Sequence, residues 1–273
     1  MHQIINAAYC IHYDDYDFLL DVVRSVREAS TGVELAIYTD KPDFMAKQAL
    51  QKAASLKVRR LGPREDVIHE GDKPRHVNLI LGGWACRYKS LPDGRRQIVG
   101  FFVPGDFCDL NVYVLKEMDH SIGAITRVTY AQIAPEEIER VVEERPRIAR
   151  ALWWHELVSA SVQREWLLNV GQRTAYERIA HLLVELFLRL RSVKLTQGDS
   201  CDFPLTQTDV ADATGLTAVH VNRTLRELRE EGLIELGQKR LTIPDLGALM
   251  SAAMFNTNYL HLDHEGRHLD AND

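Results

Sequence analysis

The chain has 273 residues, 45% of them hydrophobic and 26% charged, with a formal net charge of −6 at pH 7. This is globular composition, and the length suits two domains that each bury a core without disulfides or metal. The acidic balance does not by itself announce a nucleic-acid partner, although phosphate contacts need only a local basic patch. No apolar run reaches the roughly 18 residues of a membrane span. The start Met1-His2-Gln3 lacks the basic and apolar segments of a secretory leader, so none is expected. Four scattered cysteines (Cys10, Cys86, Cys108, Cys201) form no CxxC pair, which points to a reducing cytoplasm.

The first elements are sparse. Asp17–Ala29 has helical spacing of apolar residues, and Val33–Tyr38 reads as a strand. Thr39-Asp40 before Lys41-Pro42 suggests a helix start, with Phe44, Ala46, Leu50, Ala53 and Leu56 on one face.

From Val58 to Ile133 the texture changes to short apolar stretches separated by turn signals such as Gly62-Pro63, Gly82-Gly83, Pro92-Asp93-Gly94 and Pro104-Gly105-Asp106. Val77–Leu81, Trp84–Tyr88 and Gln97–Val103 read as strands. Many short strands at such spacing predict a β-barrel, sandwich or jelly roll. Pro92-Asp93-Gly94 is a hairpin turn, because Pro presets φ and Gly accepts a positive φ.

A helical period begins at Pro135, with Ile138, Val141 and Val142 inward, and Pro146 sits where a new helix can start. Ile148, Leu152, His155, Ser159, Val162 and Trp166 recur at alternating spacings of four and three, which predicts either a coiled-coil seam on a long helix or a helix packed on its own domain. Asn169-Val170-Gly171 reads as a hinge, Ala175–Leu190 as a second strong helix, and Thr196–Cys201 as a polar loop.

Residues 204–243 carry the most chemistry. Thr206 is an N-cap with Asp209 in a capping-box position, Val210, Ala211 and Ala213 face inward, and Gly215 fits a tight turn between two crossed helices. Leu216 is the buried turn residue and Thr217 caps the next helix, whose apolar face is Val221, Leu225 and Leu228. Val219, His220, Asn222, Arg223, Arg226 and Arg229 occupy the other positions, the layout of a recognition helix whose N-terminal half enters the major groove. Glu235-Leu236, a basic tip at Gln238-Lys239-Arg240, and Leu241-Thr242-Ile243 form a short hairpin, a wing able to touch phosphates.

With these residues in view the chain resembles the Crp/Fnr family of transcription regulators. The resemblance covers residues 41–247 and rests on Val67-Ile68-His69-Glu70-Gly71-Asp72, Asp93-Gly94-Arg95-Arg96-Gln97, Phe102-Val103-Pro104-Gly105-Asp106-Phe107, residues 174–183, and the helix-turn-helix. It implies an α+β fold: a double-stranded β-helix (jelly-roll) sensor, a long dimerisation helix and a C-terminal winged helix, acting as a homodimer on a two-fold-symmetric operator. The expected organisation is an N-terminal extension of unassigned role at 1–40, a cyclic-nucleotide-binding-like sensor at 41–145, the dimerisation helix at 146–170, the winged helix at 171–247 and a tail at 248–273.

The resemblance also implies site residues. Arg223 stands at the family's arginine, expected on guanine O6 and N7. The family often has Glu four residues earlier; here it is Val219, which offers apolar contact such as to a thymine methyl. His220 and Asn222 are candidates for base or phosphate, and Thr206, Thr217, Arg226, Lys239 and Arg240 for positioning on the backbone. Cyclic-nucleotide binders of this fold use a glutamate after the Pro-Gly-Asp turn and an Arg-Ser pair; the corresponding positions here are Asp109, His120 and Ser121. Without the fixed cation, tight cyclic AMP binding is not expected. No cofactor is expected and the effector is unassigned: Cys10 stands alone where iron–sulfur sensing needs a cluster. His69, His76, His120 and Cys86 are haem ligands by type only, and His261, His264 and His268 could take a metal ion but read better as a flexible tail.

No P-loop, HExxH or G-x-S-x-G motif is present, so no enzyme activity is expected. The alternative is a ligand-binding or cupin-like jelly roll with a structural helix-turn-helix, for which His69, Glu70 and His76 are the loose echo. The expected partners are double-stranded DNA, a second copy and RNA polymerase, with no membrane.

Overall fold

The computed structural model describes residues 57–110, 112–144 and 146–262. The elements expected at 17–29, 33–38 and 41–56, together with Cys10, His264 and His268, lie outside the described residues. Eight strands come first: β1 (Lys57–Leu61), β2 (Asp66–Ile68), β3 (Val77–Gly82), β4 (Ala85–Ser90), β5 (Arg96–Phe102), β6 (Phe107–Cys108), β7 (Ser121–Ala124) and β8 (Val128–Ile133). Three helices follow, α1 (Pro135–Glu144), α2 (Pro146–Gln172) and α3 (Ala175–Ser192), then β9 (Thr196–Gln197), β10 (Ser200–Asp202), α4 (Gln207–Thr214), α5 (Ala218–Glu230), β11 (Glu235–Gly237), β12 (Arg240–Thr242) and α6 (Leu246–Ala252). This is the α+β order expected, an antiparallel-sheet sensor followed by helices and a winged helix-turn-helix. Among the described residues, no helix is long and apolar enough to cross a membrane.

The chain divides into two compact units. Among the described residues, the first holds 57–85 and Phe102–Leu157. One of its sheets runs β1-β8-β3-β6, with β1 and β8 antiparallel from Lys57↔Gln132 to Leu61↔Val128. β3 is buried along Val77–Ile80, because side chains of alternating direction meet two different cores. Val77 and Leu79 join Phe107, Ala131 and Leu152, whereas Ile80 joins Cys108, Ile122 and Tyr130. Each such side chain contributes about 1.5–3 kcal/mol of apolar burial. β2 pairs with β7 across a register shift between Asp66 and Ile68. α1 begins on Pro135 with Glu136 and Glu137 in its first turn, where a fixed φ and negative charge both favour a helix start.

The second unit holds Cys86–Phe101 and Val158–Leu262 among the described residues. Its hairpin of β4 and β5 turns at Gly94, with φ 87°. Leu91 N–H donates to Arg95 O at 2.8 Å, and Asp93 Oδ1 accepts from Arg95 N–H at 3.1 Å. α3 is the spine, buried continuously from Ile179 to Leu188, and starts in a capping box of Thr174 and Glu177. The second sheet runs β11-β12-β10-β9.

The structure bears on two expectations for the long helix and corrects the second. Leu152 and Trp166 are buried, and His155 stands edge-on to Phe107 with ring centroids 6.2 Å apart. In the single chain this face packs in part on the chain's own core, with His155, Ser159 and Val162 half-buried. A second stripe, five residues on, is exposed: Trp153, Leu157, Ala160, Arg164, Leu167 and Gly171, again at spacings of four and three. The hinge expected at Asn169–Gly171 is helix. α2 runs on to Gln172, and Asn169 is buried with its Nδ2 donating to Arg178 O at 3.3 Å. The chain turns instead at Arg173–Thr174, where Thr174 opens α3.

Candidate nucleic-acid interface

The helix-turn-helix is built from local rules. Thr206 Oγ1 accepts from Asp209 N–H at 3.1 Å, and Asp209 Oδ2 accepts from Thr206 N–H at 2.9 Å, closing the capping box that starts α4. Gly215 ends α4 in the left-handed region at φ 67°, where a side chain would be strained. Thr217 Oγ1 then accepts from His220 N–H at 3.2 Å and starts α5. Leu216 between them is half-buried rather than fully buried.

α5 separates two faces. Val221, Thr224, Leu225 and Leu228 are buried. Val219, Asn222, Arg223 and Arg226 are exposed and share the opposite face at spacings of three, one and three. The first turn carries no acidic residue, so helix dipole and free N–H groups favour an anion there. Val219 is 81% exposed, an apolar side chain with no core to serve. Arg223 Nη2 lies 2.7 Å from His220 Nε2, which links two expected DNA-contacting residues. Arg226 forms an exposed pair with Glu230 at 3.7 Å, the kind that contributes little to stability.

The wing turns on Gln238 and Lys239, both at positive φ (49° and 61°), the two-residue turn whose twist matches a hairpin. Lys239 is exposed at its tip. Arg240 is drawn back: its Nη2 donates to Gln197 Oε1 at 2.8 Å and its Nη1 lies 3.9 Å from Asp202. Thr206 likewise spends its hydroxyl on Asp209, at 2.6 Å.

Sequence reasoning missed a residue that holds this unit together. Arg96, on β5, donates from Nε to Asp212 Oδ2 at 2.8 Å and from Nη2 to Asp209 Oδ1 at 3.2 Å. Its guanidinium lies over the Tyr88 ring at 5.3 Å, and Gln97 Nε2 donates to Ala213 O at 3.3 Å. The hairpin thereby grips α4 from its own side. Arg95 beside it pairs instead with Asp93 at 2.8 Å, exposed. The motif Asp93–Gln97 was visible; which of its arginines reaches a helix over a hundred residues on was not.

The three effector-pocket candidates meet in the first unit. His120 is buried, with Nε2 2.8 Å from Asp109 Oδ2 and Nδ1 2.8 Å from Asp119 Oδ1. Both ring nitrogens of His120 are thereby engaged by carboxylates. Ser121, also buried, accepts from Glu70 N–H through Oγ at 2.9 Å. His69 pairs with Asp66 at 3.0 Å, largely exposed.

Residues 58–145 match the cyclic nucleotide-binding domain family, and residues 177–252 the Crp-like helix-turn-helix domain family. The chain is 36% identical over 172 residues to the nitrogen fixation regulation protein FixK of Bradyrhizobium diazoefficiens, covering 63% of this chain and 71% of that one. It is 30% identical over 193 residues to the transcriptional activator protein FnrL of Cereibacter sphaeroides, covering 69% and 77% respectively. The solved structure of FixK2 from Bradyrhizobium japonicum matches with a TM-score of 0.66 at 25% identity, covering 72% of this chain and 96% of that one. The chain belongs to the Crp/Fnr family of transcription regulators.

As a Crp/Fnr regulator the protein is a sequence-specific DNA-binding transcription regulator, in a family that typically works as dimers. The cupin-like alternative falls with that assignment. In this Crp/Fnr chain the winged helix also carries a buried polar cluster that sequence reasoning missed. Trp166 donates to Glu185 at 3.0 Å, Tyr259 Oη donates to Glu185 Oε2 at 2.8 Å, and Arg189 Nη1 lies 3.8 Å from Oε1. Burial pushes the Glu185 carboxyl up, opposed by Arg189 and the two donors. Beside it His181 packs against both Phe255 and Tyr259, with ring centroids at 4.7 and 5.8 Å. Burial, aided by Arg173, drives His181 down to about 3. Glu165 accepts from Arg173 Nη2 at 2.7 Å. This cluster fixes the end of α2 and residues 255–260 onto α3. The signal for it was the polar pair His181 and Glu185 inside an otherwise apolar helix.

Proposed function

We propose that the protein is a cytoplasmic homodimer that reads a palindromic operator in double-stranded DNA with the exposed face of α5. The observation that carries this reading is the stripe of Val219, Asn222, Arg223 and Arg226 on a helix whose other face is buried. Arg223 takes a guanine edge, Val219 lies against apolar base surface, and Asn222 and His220 flank them. Thr217, Arg226 and Lys239 contact phosphates, which fix register without reading sequence. Thr206 and Arg240 act from behind, holding α4 and the wing in place.

The second copy packs on the exposed stripe of α2, and two-fold symmetry then sets two recognition helices on two half-sites. An effector or the sensor's own state shifts the population between dimers that can and cannot span both half-sites. FnrL and the related AadR are named as activators, which supports activation through contact with RNA polymerase.

The sensor does not bind cyclic AMP tightly. His120 occupies the position of the phosphate-binding arginine, and its bonds to Asp109 and Asp119 leave a cyclic phosphate facing carboxylates. Calorimetric titration with cyclic AMP is expected to show no binding at micromolar concentrations; a low-micromolar affinity would overturn this point. The regulator reading is tested by selecting genomic fragments with the purified protein at physiological salt. A palindrome is expected, and Arg223→Ala is expected to lose it. Equal binding by wild type and Arg223→Ala would reject Arg223 as the reader.

A further inference from the structure

Among the polar groups on the exposed face of α5, Arg223 is held toward the helix N-terminus, the end that a recognition helix inserts into the groove. Its Nη2 donates to His220 Nε2 at 2.7 Å, one turn earlier. Arg226 bends the other way, to Glu230. A guanidinium only donates, so Nε2 is the accepting nitrogen of this pair. His220 is itself fixed, half-buried in the first turn with its N–H on Thr217 Oγ1. The first turn offers no carboxylate, and the neighbouring Val219 has no polar atom. Glu227, four residues on, is the other acceptor this helix sets within reach, and the structure pairs Arg223 with the imidazole instead. One of the guanidinium's five N–H groups is used, and a parallel pair remains for guanine O6 and N7.

We propose that His220 is a positioning residue for base reading: it holds the Arg223 guanidinium in the conformation that presents its remaining N–H pair to guanine. The proposal rests on Arg223 as the reader. Holding a long, flexible side chain before binding removes an ordering cost at the moment of contact, and misplacing it costs discrimination at one base pair only. His220 is then a specificity residue that does not itself touch the base.

The test uses the full-length protein and a duplex carrying the palindrome recovered by the genomic selection. Single base-pair substitutions, made in both half-sites, locate the guanine as the position where Arg223→Ala loses discrimination. If Arg223→Ala keeps wild-type discrimination everywhere, the base reading fails and the role of His220 with it. With the guanine located, His220→Ala is expected to lose about five- to tenfold of discrimination there, and little at other positions or on non-specific DNA. In an Arg223→Ala background, His220→Ala is expected to add nothing. His220→Gln, which sets a neutral acceptor near Nε2, is expected to restore discrimination. Equal losses with and without Arg223 would show that His220 contacts DNA on its own and would overturn the proposal. So would unchanged discrimination in His220→Ala, or failure of His220→Gln to rescue a folded protein.

Discussion

Trp166 donates its indole N–H to both carboxylate oxygens of Glu185, at 3.0 Å each, and Glu185 is fully buried. The same indole stands edge-on to Phe101, with centroids 5.9 Å apart. Trp166→Phe keeps most of the ring and removes the donor. Tyr259→Phe removes the other donor, whose bond is 2.8 Å. Each substitution leaves a buried carboxyl short of a partner, and each is expected to cost about 1–3 kcal/mol in urea unfolding. Losses within a few tenths would mean that the carboxyl relaxes to other donors.

The neighbouring His181 gives a pH dependence of known sign. Its proton affinity is depressed from 6.5 to about 3 in the fold. Between those values the unfolded chain binds the proton and the folded one does not, so stability is lost as pH falls from 6.5 towards about 3. Glu185 works oppositely. Its raised affinity makes the folded state hold a proton that the unfolded chain releases, so its share is lost as pH rises above 4.5. Comparison with His181→Gln separates the two. The stability of wild type minus variant is expected to fall by up to about 1.4 kcal/mol per pH unit below pH 6.5. A constant difference between pH 7.5 and 5.0 would show that His181 is protonated in the fold.

Arg96 joins two acids on one helix, Asp209 and Asp212, from a partly exposed position. Exposure discounts its value, so Arg96→Ala is expected to cost about 1 kcal/mol. Arg96→Asp brings three carboxylates together and is expected to cost more. In a double-mutant cycle, Asp212→Asn is expected to have little effect once Arg96 is gone. Thermal melts of the four proteins decide this. Additive losses would mean that the grip of the hairpin on α4 comes from Gln97 and packing.

The winged helix was legible because each of its determinants is local. Thr206 and Asp209 sit three residues apart, Gly215 needs a positive φ, and the buried and exposed sides of α5 alternate at the helical period. The β-strands were legible through turns and apolar runs, with Val77–Leu81 falling on β3. What the sequence hid depends on distance along the chain. Glu185 meets Trp166 and Tyr259, Arg96 meets Asp212, and His120 meets Asp109 only after folding. Asn169–Gly171 misled because a glycine inside a helical pattern reads as a break, whereas α2 continues to Gln172 with the Asn169 amide turned onto Arg178 O of α3.

The period of the long helix fits two stripes five residues apart, and that gives a decisive pair of variants. α2 carries two apolar stripes with the same spacing, one through Leu152 and Trp166 and one through Leu157 and Leu167. Periodicity cannot say which of them faces the chain's own core. Leu157 and Leu167 are 68% and 75% exposed in the single chain, whereas Leu152 is 4% exposed. Each exposed leucine is worth about 1.5–3 kcal/mol per protomer when a second helix covers it. Arg164 in the same stripe restricts how two copies align. Leu157→Asp with Leu167→Asp is therefore expected to leave a folded monomer with an unchanged melting profile at low concentration. Sedimentation is expected to show the mass of one chain, and operator affinity to fall at least about 100-fold as two half-sites are bound separately. Leu152→Asp is expected to unfold the first unit instead, because the charge enters a packed core. A dimer that persists in the double aspartate variant would move the interface off this stripe.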